Sequence, residues 1–260
     1  MRLVDYMGSD AAIVQAARVS YGEGTKKISE DRGLIRYLMR HRHTSPLEMV
    51  EFKFHVKLPI FVARQWIRHR TANVNELSGR YSIMKEEFYV PSDDDIRGQS
   101  EVNKQSRSDE LAPEALRRRL VEYLNQSQRA AYESYHGFVD DGLARELARI
   151  ALPLSLYTEW YWKIDLHNLF HFLRLRLDAH AQLEIRKYAR VMADMVRTVC
   201  PMAYEAFEDF VLNSVSFSGP ELSVLKESLA TIIPTKDELV SPGLSKGEAA
   251  ELLGKLKRLR

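Results

Sequence analysis

The sequence predicts an α+β architecture, a single domain of helices packed around an antiparallel sheet with a C-terminal helical tail. Three observations predict it. Residues 50–57, Val-Glu-Phe-Lys-Phe-His-Val-Lys, alternate apolar and polar without a break, which is the period of a strand with one wet face. Several flanking stretches carry apolar residues at three- and four-residue spacing, the period of amphipathic helices. No glycine-rich phosphate loop of the GxGxxG or GxxxxGKS/T kind is present, and helices do not alternate with strands as in a doubly wound sheet.

In chain order, Ser9 can cap a helix over about Asp10 to Val19, and residues 29–41 place Leu34, Ile35, Leu38 and Met39 on one helical face. His43-Thr44-Ser45-Pro46 reads as a tight turn that presents an imidazole and a hydroxyl just before the alternating strand. Pro59 suits the first turn of a helix that continues through PIFVARQWIRHR, with Gln65, Arg68 and His69 at one-face spacing. The segment RHRTANVNELSGRY (68–81) follows as a loop, and Tyr81 to Val90 reads weakly as a strand leading to Pro91. Residues 92–112 are polar and nearly free of large apolar groups, the composition of an exposed excursion. A long helix is expected from Pro113 to about Val139, and LARELARIALP (143–153) as a short helix with Glu146 and Arg149 on one side.

Tyr157 to Ile164 is rich in aromatics and reads as a strand, Asp165 as the cap of a helix through Leu175, and Ala179 to Val199 as another helix. From Ser214 onward two short amphipathic pieces, separated by Pro234 and by Ser241-Pro242-Gly243, end in the basic GKLKRLR. The expected division is a domain over residues 1–213 and an extension over 214–260.

Composition narrows the function classes. The chain has 260 residues, with 38 Lys and Arg against 36 Asp and Glu, a formal charge of +2. That balance disfavours a protein whose main task is coating nucleic acid, so a bound anion is expected to be small and held locally. The single cysteine, Cys200, excludes an intrachain disulfide and a cysteine-rich zinc site. MRLVDYMGSD lacks the apolar core and cleavage site of a signal peptide, and a soluble, cytoplasmic chain is the expectation.

Chemistry concentrates in residues 68–81. Arginine's rigid fork of donors matches phosphate and carboxylate oxygens in pairs, so Arg68, Arg70 and Arg80 gathered by a loop would hold a phosphorylated small molecule. Glu76, Ser78 and the Gly79 amide would orient a sugar or base beside it; a solvated loop with surface ion pairs is the plainer alternative. His41, His43 and His69 raise a metal reading, against which stand the flanking arginines and the lack of a carboxylate at ligand spacing; no metal is expected. Ser78 has no base beside it, so it reads as a ligand-binding hydroxyl more than a nucleophile. Cys200, before a proline at a helix end, reads as a packed thiol. Arg176 either complements a helix terminus or stabilises negative charge developing on a substrate ring.

Residues 68–81 also resemble the flavin-dependent thymidylate synthases, the ThyX family. That family's pattern is RHR, two residues, Ser, one residue, Asn-Glu, one residue, Ser, one residue, Arg-Tyr, and this sequence departs from its fixed positions only at Asn73, where the family has serine. The likeness extends through HTSPLE (43–48), FHVKLPIFVARQW (54–66), LARIALPLSLYT (147–158) and LRLDAHAQLEI (175–185), about residues 1–212 in all. The resemblance implies reductive methylation of dUMP to dTMP, with methylenetetrahydrofolate as carbon donor, NADPH as reductant and FAD as hydride carrier, in a homotetramer with active sites between subunits.

Position by position it assigns FAD contacts to His43, Ser45, Arg68, His69, Arg70, Glu76, Asp165, His167 and His171. For dUMP it assigns Gln65, Trp66, Arg68, Glu76, Leu77, Ser78, Gly79, Arg80, Arg149 and Arg176, with Arg176 favouring ionisation at uracil N3. Asp165, His167 and His171 stand where relatives often have Asn, Arg and Asn. A cysteine nucleophile, needed for the folate-only route through addition at C6, is not expected. Two other classes explain parts of the pattern: an RNA-binding module using Trp66 and Tyr81 as stacking platforms, and a metal-dependent hydrolase built on His41, His43 and His69.

Overall fold

The computed structural model describes residues 1–19, 28–101, 104, 106–229, 238–239 and 244–258. In chain order the elements are β1 (Arg2–Met7), α1 (Asp10–Arg18), α2 (Ile28–Arg40), β2 (Glu51–Pro59), α3 (Ile60–Trp66), β3 (Asn73–Glu76), β4 (Arg97–Gln99) and β5 (Arg107–Leu111). There follow α4 (Glu114–Asp140), α5 (Arg145–Ala148), β6 (Tyr157–Asp165), α6 (Leu166–Leu177), α7 (Leu183–Val199) and α8 (Pro201–Phe207). Two compact units result, Met1–Leu212 and Asn213–Arg260.

Alternation at residues 50–57 becomes β2, which lies between β1 and β6 in a four-stranded sheet of order β1-β2-β6-β3, antiparallel throughout. Because side chains alternate across a strand, the register of β2 on β6 sets Phe52, Phe54, Val56 and Leu58 directly opposite Ile164, Trp162, Trp160 and Thr158. All eight are buried. The opposite face carries Glu51, Lys53, His55 and Lys57, where Lys163 bonds Glu51, Lys53 bonds Asp5 and His55 bonds Glu159.

Helices cover the apolar face. Trp66, at the end of α3, packs against Trp160 and Trp162 with ring centroids 5.7 and 5.3 Å away and against Phe172 of α6 at 4.8 Å. From α7, Ile185, Ala189, Met192 and Val196 enter the same core. Asp10, in the first turn of α1, accepts the amides of Met202 and Ala203 and so caps α8 from another helix.

Several elements differ from the sequence expectations. The helix after Pro59 stops at Trp66 instead of running through the arginines, and Asn73–Glu76 forms β3, because the outer edge of β6 needs a backbone partner. Tyr81 to Val90 is not a strand. One bridge pairs Phe88 with Leu156, while the backbone of Met84 is taken up by the hydroxyls of Tyr135 and Tyr132 from α4. The described residues of 92–112 form a structured excursion: a turn at Asp93–Asp95 and the antiparallel pair β4–β5, with Ile96 and Ala112 buried. Arg107 and Tyr89 both donate to the buried Glu184 of α7, and Lys187 pairs with Asp95, which fastens the excursion to the helical layer. α7 begins at Leu183 instead of Ala179, because Asp178 accepts the His180 amide in a turn before it.

In the second unit, Ser218 donates to Glu221 at the start of a helix over Gly219–Leu229. Ser245 and Glu248 make a reciprocal capping box on a helix over Lys246–Arg258. Pro234 and Ser241-Pro242-Gly243 lie outside the described residues. No described helix is long and apolar enough to cross a membrane.

Trp66 is fully buried. Trp66→Ala is therefore expected to lower unfolding free energy by about 3–5 kcal/mol, the range for removing a buried aromatic, read from the midpoint of urea unfolding; an unchanged midpoint would mean that this ring does not hold the helical layer on the sheet.

Candidate active site

The segment 68–81 leaves α3, crosses to the outer edge of β6 and then turns toward α5, and its two halves meet different partners. After Trp66 the chain makes one tight turn, in which the His69 amide bonds the Trp66 carbonyl. His69 is buried, its Nε2 3.2 Å from the Asn168 carbonyl of α6 and 3.2 Å from Thr71 Oγ1, and its ring lies 5.3 Å from that of His171. Burial pushes its pKa below the usual histidine value, helped by the charges of His171 and Arg176. The neutral imidazole is thereby favoured.

Asp165, the last residue of β6, caps α6 as its position suggests: Oδ1 accepts the Asn168 amide at 2.9 Å and Oδ2 accepts Asn168 Nδ2 at 2.7 Å. His167, His171 and Arg174 follow along α6 at four- and three-residue spacing, hence on one side. Arg176 sits in the last turn with its Nε buried and without a hydrogen-bond partner. Burial and then the charge of Arg68 depress its pKa. Arg68, His69, Asp165, His171 and Arg176 thus form one group.

The second half forms another. Ser78 Oγ accepts the Arg80 amide at 3.3 Å, and the amides of Tyr81 and Ser82 bond the Ser78 carbonyl, so residues 78–82 close on themselves. Arg145 holds this turn through the Tyr81 carbonyl at 2.8 Å. Arg80 reaches Glu146 at 3.2 Å. A Cβ at Gly79 would stand 3.2 Å from Arg149 Cδ and 3.1 Å from Met84 Sδ, so the missing side chain lets this backbone lie against Arg149. Between the halves, Glu76 Oε1 accepts from Thr158 at 2.7 Å, and Leu77 continues the pairing to Glu159. Gln65 Oε1 is buried without a partner.

His43 and Ser45 belong to a third group. Arg42, at φ 58°, takes the left-handed conformation that ends α2, with the His43 amide bonded to Leu38 O and the Arg42 amide to Met39 O. The turn at Ser45–Met49 follows and packs on α6. His43, Thr44 and Ser45, with Gln15 and Tyr37, line a cavity of about 810 Å³. The His41 and His43 rings stand 6.4 Å apart, edge to face, and among the described residues no three of His, Cys, Asp and Glu converge as metal ligands would.

Chemically, what stands out is uncompensated charge. Arg68, Arg70, Arg149, Arg174 and Arg176 make no ion pair with any described residue, though a bidentate guanidinium is suited to carboxylate and phosphate. Arginine forks, a neutral imidazole and the free lone pairs of Glu76 are a donor and acceptor set that matches an anionic dinucleotide and a nucleotide. Trp66 is remote from such contacts, sealed beneath them in the core, and it is not available for stacking. Asp165 has both oxygens engaged by Asn168, so its part within this chain is indirect. Sequence reasoning missed Asn168 and the pairing of Glu146 with Arg80. The first was signalled by Asp-x-x-Asn at a helix start; the second required the fold.

Cys200 is fully buried, and burial pushes its thiol up to about 12. At pH 8 the thiolate is therefore scarce. Ellman's reagent is expected to leave Cys200 unmodified in the native protein and to react fully in guanidinium; rapid reaction in the native state would contradict this placement.

Comparison with known proteins places this geometry. Residues 2–202 match the model of the thymidylate synthase complementing protein family. A flavin-dependent thymidylate synthase of Treponema denticola is 61% identical over 230 residues, covering 88% of this chain and 86% of the relative. One from Thermus thermophilus is 56% identical over 256 residues, covering 98% and 92%. Among solved structures, the UMP/dUMP methylase PolB of Streptomyces cacaoi, bound with 5-Br dUMP, superposes with a TM-score of 0.74 at 36% identity, covering 81% of this chain and 94% of that one.

Proposed function

This chain belongs to the flavin-dependent thymidylate synthase family, and from that premise we propose that it converts dUMP to dTMP with methylenetetrahydrofolate as one-carbon donor and NADPH as reductant. The observation that carries this reading is the set of arginines without counter-ions gathered around residues 68–81, namely Arg68, Arg70, Arg149 and Arg176, with Arg80 held only by an exposed pair to Glu146. In the net reaction the C5 hydrogen of uracil leaves as a proton, the folate methylene becomes the methyl group, and NADPH supplies the two electrons. Bound FAD would supply the hydride carrier that no amino-acid side chain provides.

The chain's own residues bind and polarise. Arg68 and Arg70, with Ser45, His43 and the α6 histidines His167 and His171, would hold the flavin and its phosphates. Arg80 and Arg149, with Ser78 and the Gly79 backbone, would take the nucleotide phosphate, while Gln65, Glu76 and Leu77 border the base. Replacing the Arg80–Glu146 contact by a phosphate costs little, because exposed ion pairs contribute about 0–1 kcal/mol. Arg176 would face the uracil. Its pKa is depressed by burial and by Arg68, so negative charge developing on the ring is stabilised by a cation that lacks any other partner.

A thiol route has no support in this arrangement, since Cys200 sits inside the core with its pKa raised. An RNA-binding reading would need Trp66 at the surface. Assembly into a homotetramer with sites between subunits is supported by one feature. The 27-residue helix α4 buries only Gln128 and Tyr135 and exposes Leu116, Leu120 and Tyr123 on one side.

The test is formation of dTMP from dUMP, methylenetetrahydrofolate and NADPH with FAD supplied. Arg176→Ala is expected to lower kcat by about 100- to 1,000-fold, the range for losing one preorganised charge-stabilising donor, with FAD still bound. Cys200→Ala is expected to keep wild-type turnover. Unchanged turnover in Arg176→Ala, or loss of turnover in folded Cys200→Ala, would overturn these assignments.

A further inference from the structure

Asn168 has no place in the chemistry described so far, yet it joins two residues that do. Its carbonyl lies 3.2 Å from His69 Nε2, and a carbonyl can only accept, so Nε2 carries the hydrogen. Thr71 Oγ1, at the same 3.2 Å, lies on that same nitrogen. His69 Nδ1 is left as a bare lone pair. It makes no hydrogen bond with any described residue, and it is not among the sealed polar atoms of the chain although the residue as a whole is buried.

The Asn168 carbonyl is itself fixed. Asp165 grips Asn168 twice, at the backbone amide and at the side-chain amide, where a helix cap usually makes one such bond. The second bond stops the first turn of α6 from fraying and so keeps the carbonyl aimed at the imidazole. Among the groups facing His69, Phe172 packs edge-on at 5.4 Å and Arg176 and His171 oppose a positive charge on the ring, while the Asn168 carbonyl and Asp165 favour one; burial outweighs them and holds the ring's pKa below the usual histidine value.

We propose that Asp165 and Asn168 are positioning residues that lock His69 as the Nε2–H tautomer, so that Nδ1 accepts an imide N–H from a planar ring ligand. Flavin and uracil both carry such a group. Only the identity of the ring rests on the function proposed above; the tautomer lock belongs to the chain alone. It also gives Asp165 a part in the site that does not bring its carboxylate against a phosphate.

The experiment uses the full chain with its histidines labelled with nitrogen-15, and His69 assigned by its absence in His69→Gln. In flavin-free protein Nε2 is expected to show the pyrrole-type shift and Nδ1 the pyridine-type shift, and this result upholds the lock even in a protein that takes up no FAD. A His69 that is Nδ1–H, or an even mixture, overturns it even if FAD binds. Asp165→Ala should mix the tautomers and weaken FAD binding about tenfold, with Asp165→Asn restoring most of both, since Asn can still accept the Asn168 amide. Asn168→Ala, which removes only the second bond, serves if Asp165→Ala does not fold. No change of tautomer in the folded variant overturns the positioning role. On titration, an Nδ1 resonance that moves with FAD assigns the flavin ring, one that moves only with dUMP assigns uracil, and one that moves with neither overturns the acceptor role.

Discussion

Nine consecutive pairs between β2 and β6, from Glu51 against Asp165 to Pro59 against Tyr157, are the constraint from which the rest of the molecule follows. A slip of one residue would turn Phe52, Phe54, Trp160 and Trp162 to solvent and bring Lys53 and Glu159 into the core, so the register is held by several buried aromatics at once. Both ends of that ladder serve the site. Pro59 ends β2 and starts α3, which delivers residues 68–70; Asp165 ends β6 and starts α6, which carries His171, Arg174 and Arg176. The outer edge of β6 then draws in Asn73–Glu76 and carries the chain on to Ser78, Gly79 and Arg80. One antiparallel pairing thereby sets two otherwise unrelated basic segments side by side.

Away from the site several ions are matched, Arg36 with Glu205 and Asp209, Arg107 with Glu184, Lys163 with Glu51. Glu184 is almost wholly buried; Tyr89 and Arg107 both donate to its Oε1, while its Oε2 is buried without a partner. At the site Arg80 has Glu146 as its counter-ion, while Arg68, Arg70, Arg149, Arg174 and Arg176 have none among the described residues. Burial and then Arg68 depress the pKa of Arg176, and Gln65 Oε1 and Arg176 Nε are buried unpaired. An unpaired buried polar group costs about 1–3 kcal/mol, a loss that a bound anion or a neighbouring subunit would offset. Stability given up at a binding site is a common exchange for preorganised chemistry.

Most of the sheet and helices were legible because each carried a local period: 50–57 for β2, the aromatic run 157–164 for β6, and Asp165 as the cap of α6. What escaped depended on contacts distant in sequence. Nothing in Asn73–Glu76 distinguishes a strand from a loop until β6 presents an open edge. Residues 92–112 look like solvent-exposed coil until Glu184, more than 70 positions away, supplies a buried carboxylate for Arg107. For the site, arginine chemistry and the residue pattern of 68–81 were visible early. Trp66 was misleading: the family resemblance assigns it a dUMP contact, while the helix turns it inward against Trp160, Trp162 and Phe172. The grip of Asp165 on Asn168 could be read only as a helix cap, because the imidazole it orients arrives from 99 residues earlier.

The central claim is that the unpaired arginines are kept for a flavin dinucleotide and a uridine nucleotide in adjoining places. It is tested most directly by an absorbance titration of the purified chain with FAD and then with dUMP. The account predicts that FAD is retained through gel filtration and that its visible bands shift on addition of dUMP, since the nucleotide would change the surroundings of the ring. A protein that retains no FAD and shows no response to dUMP would contradict it.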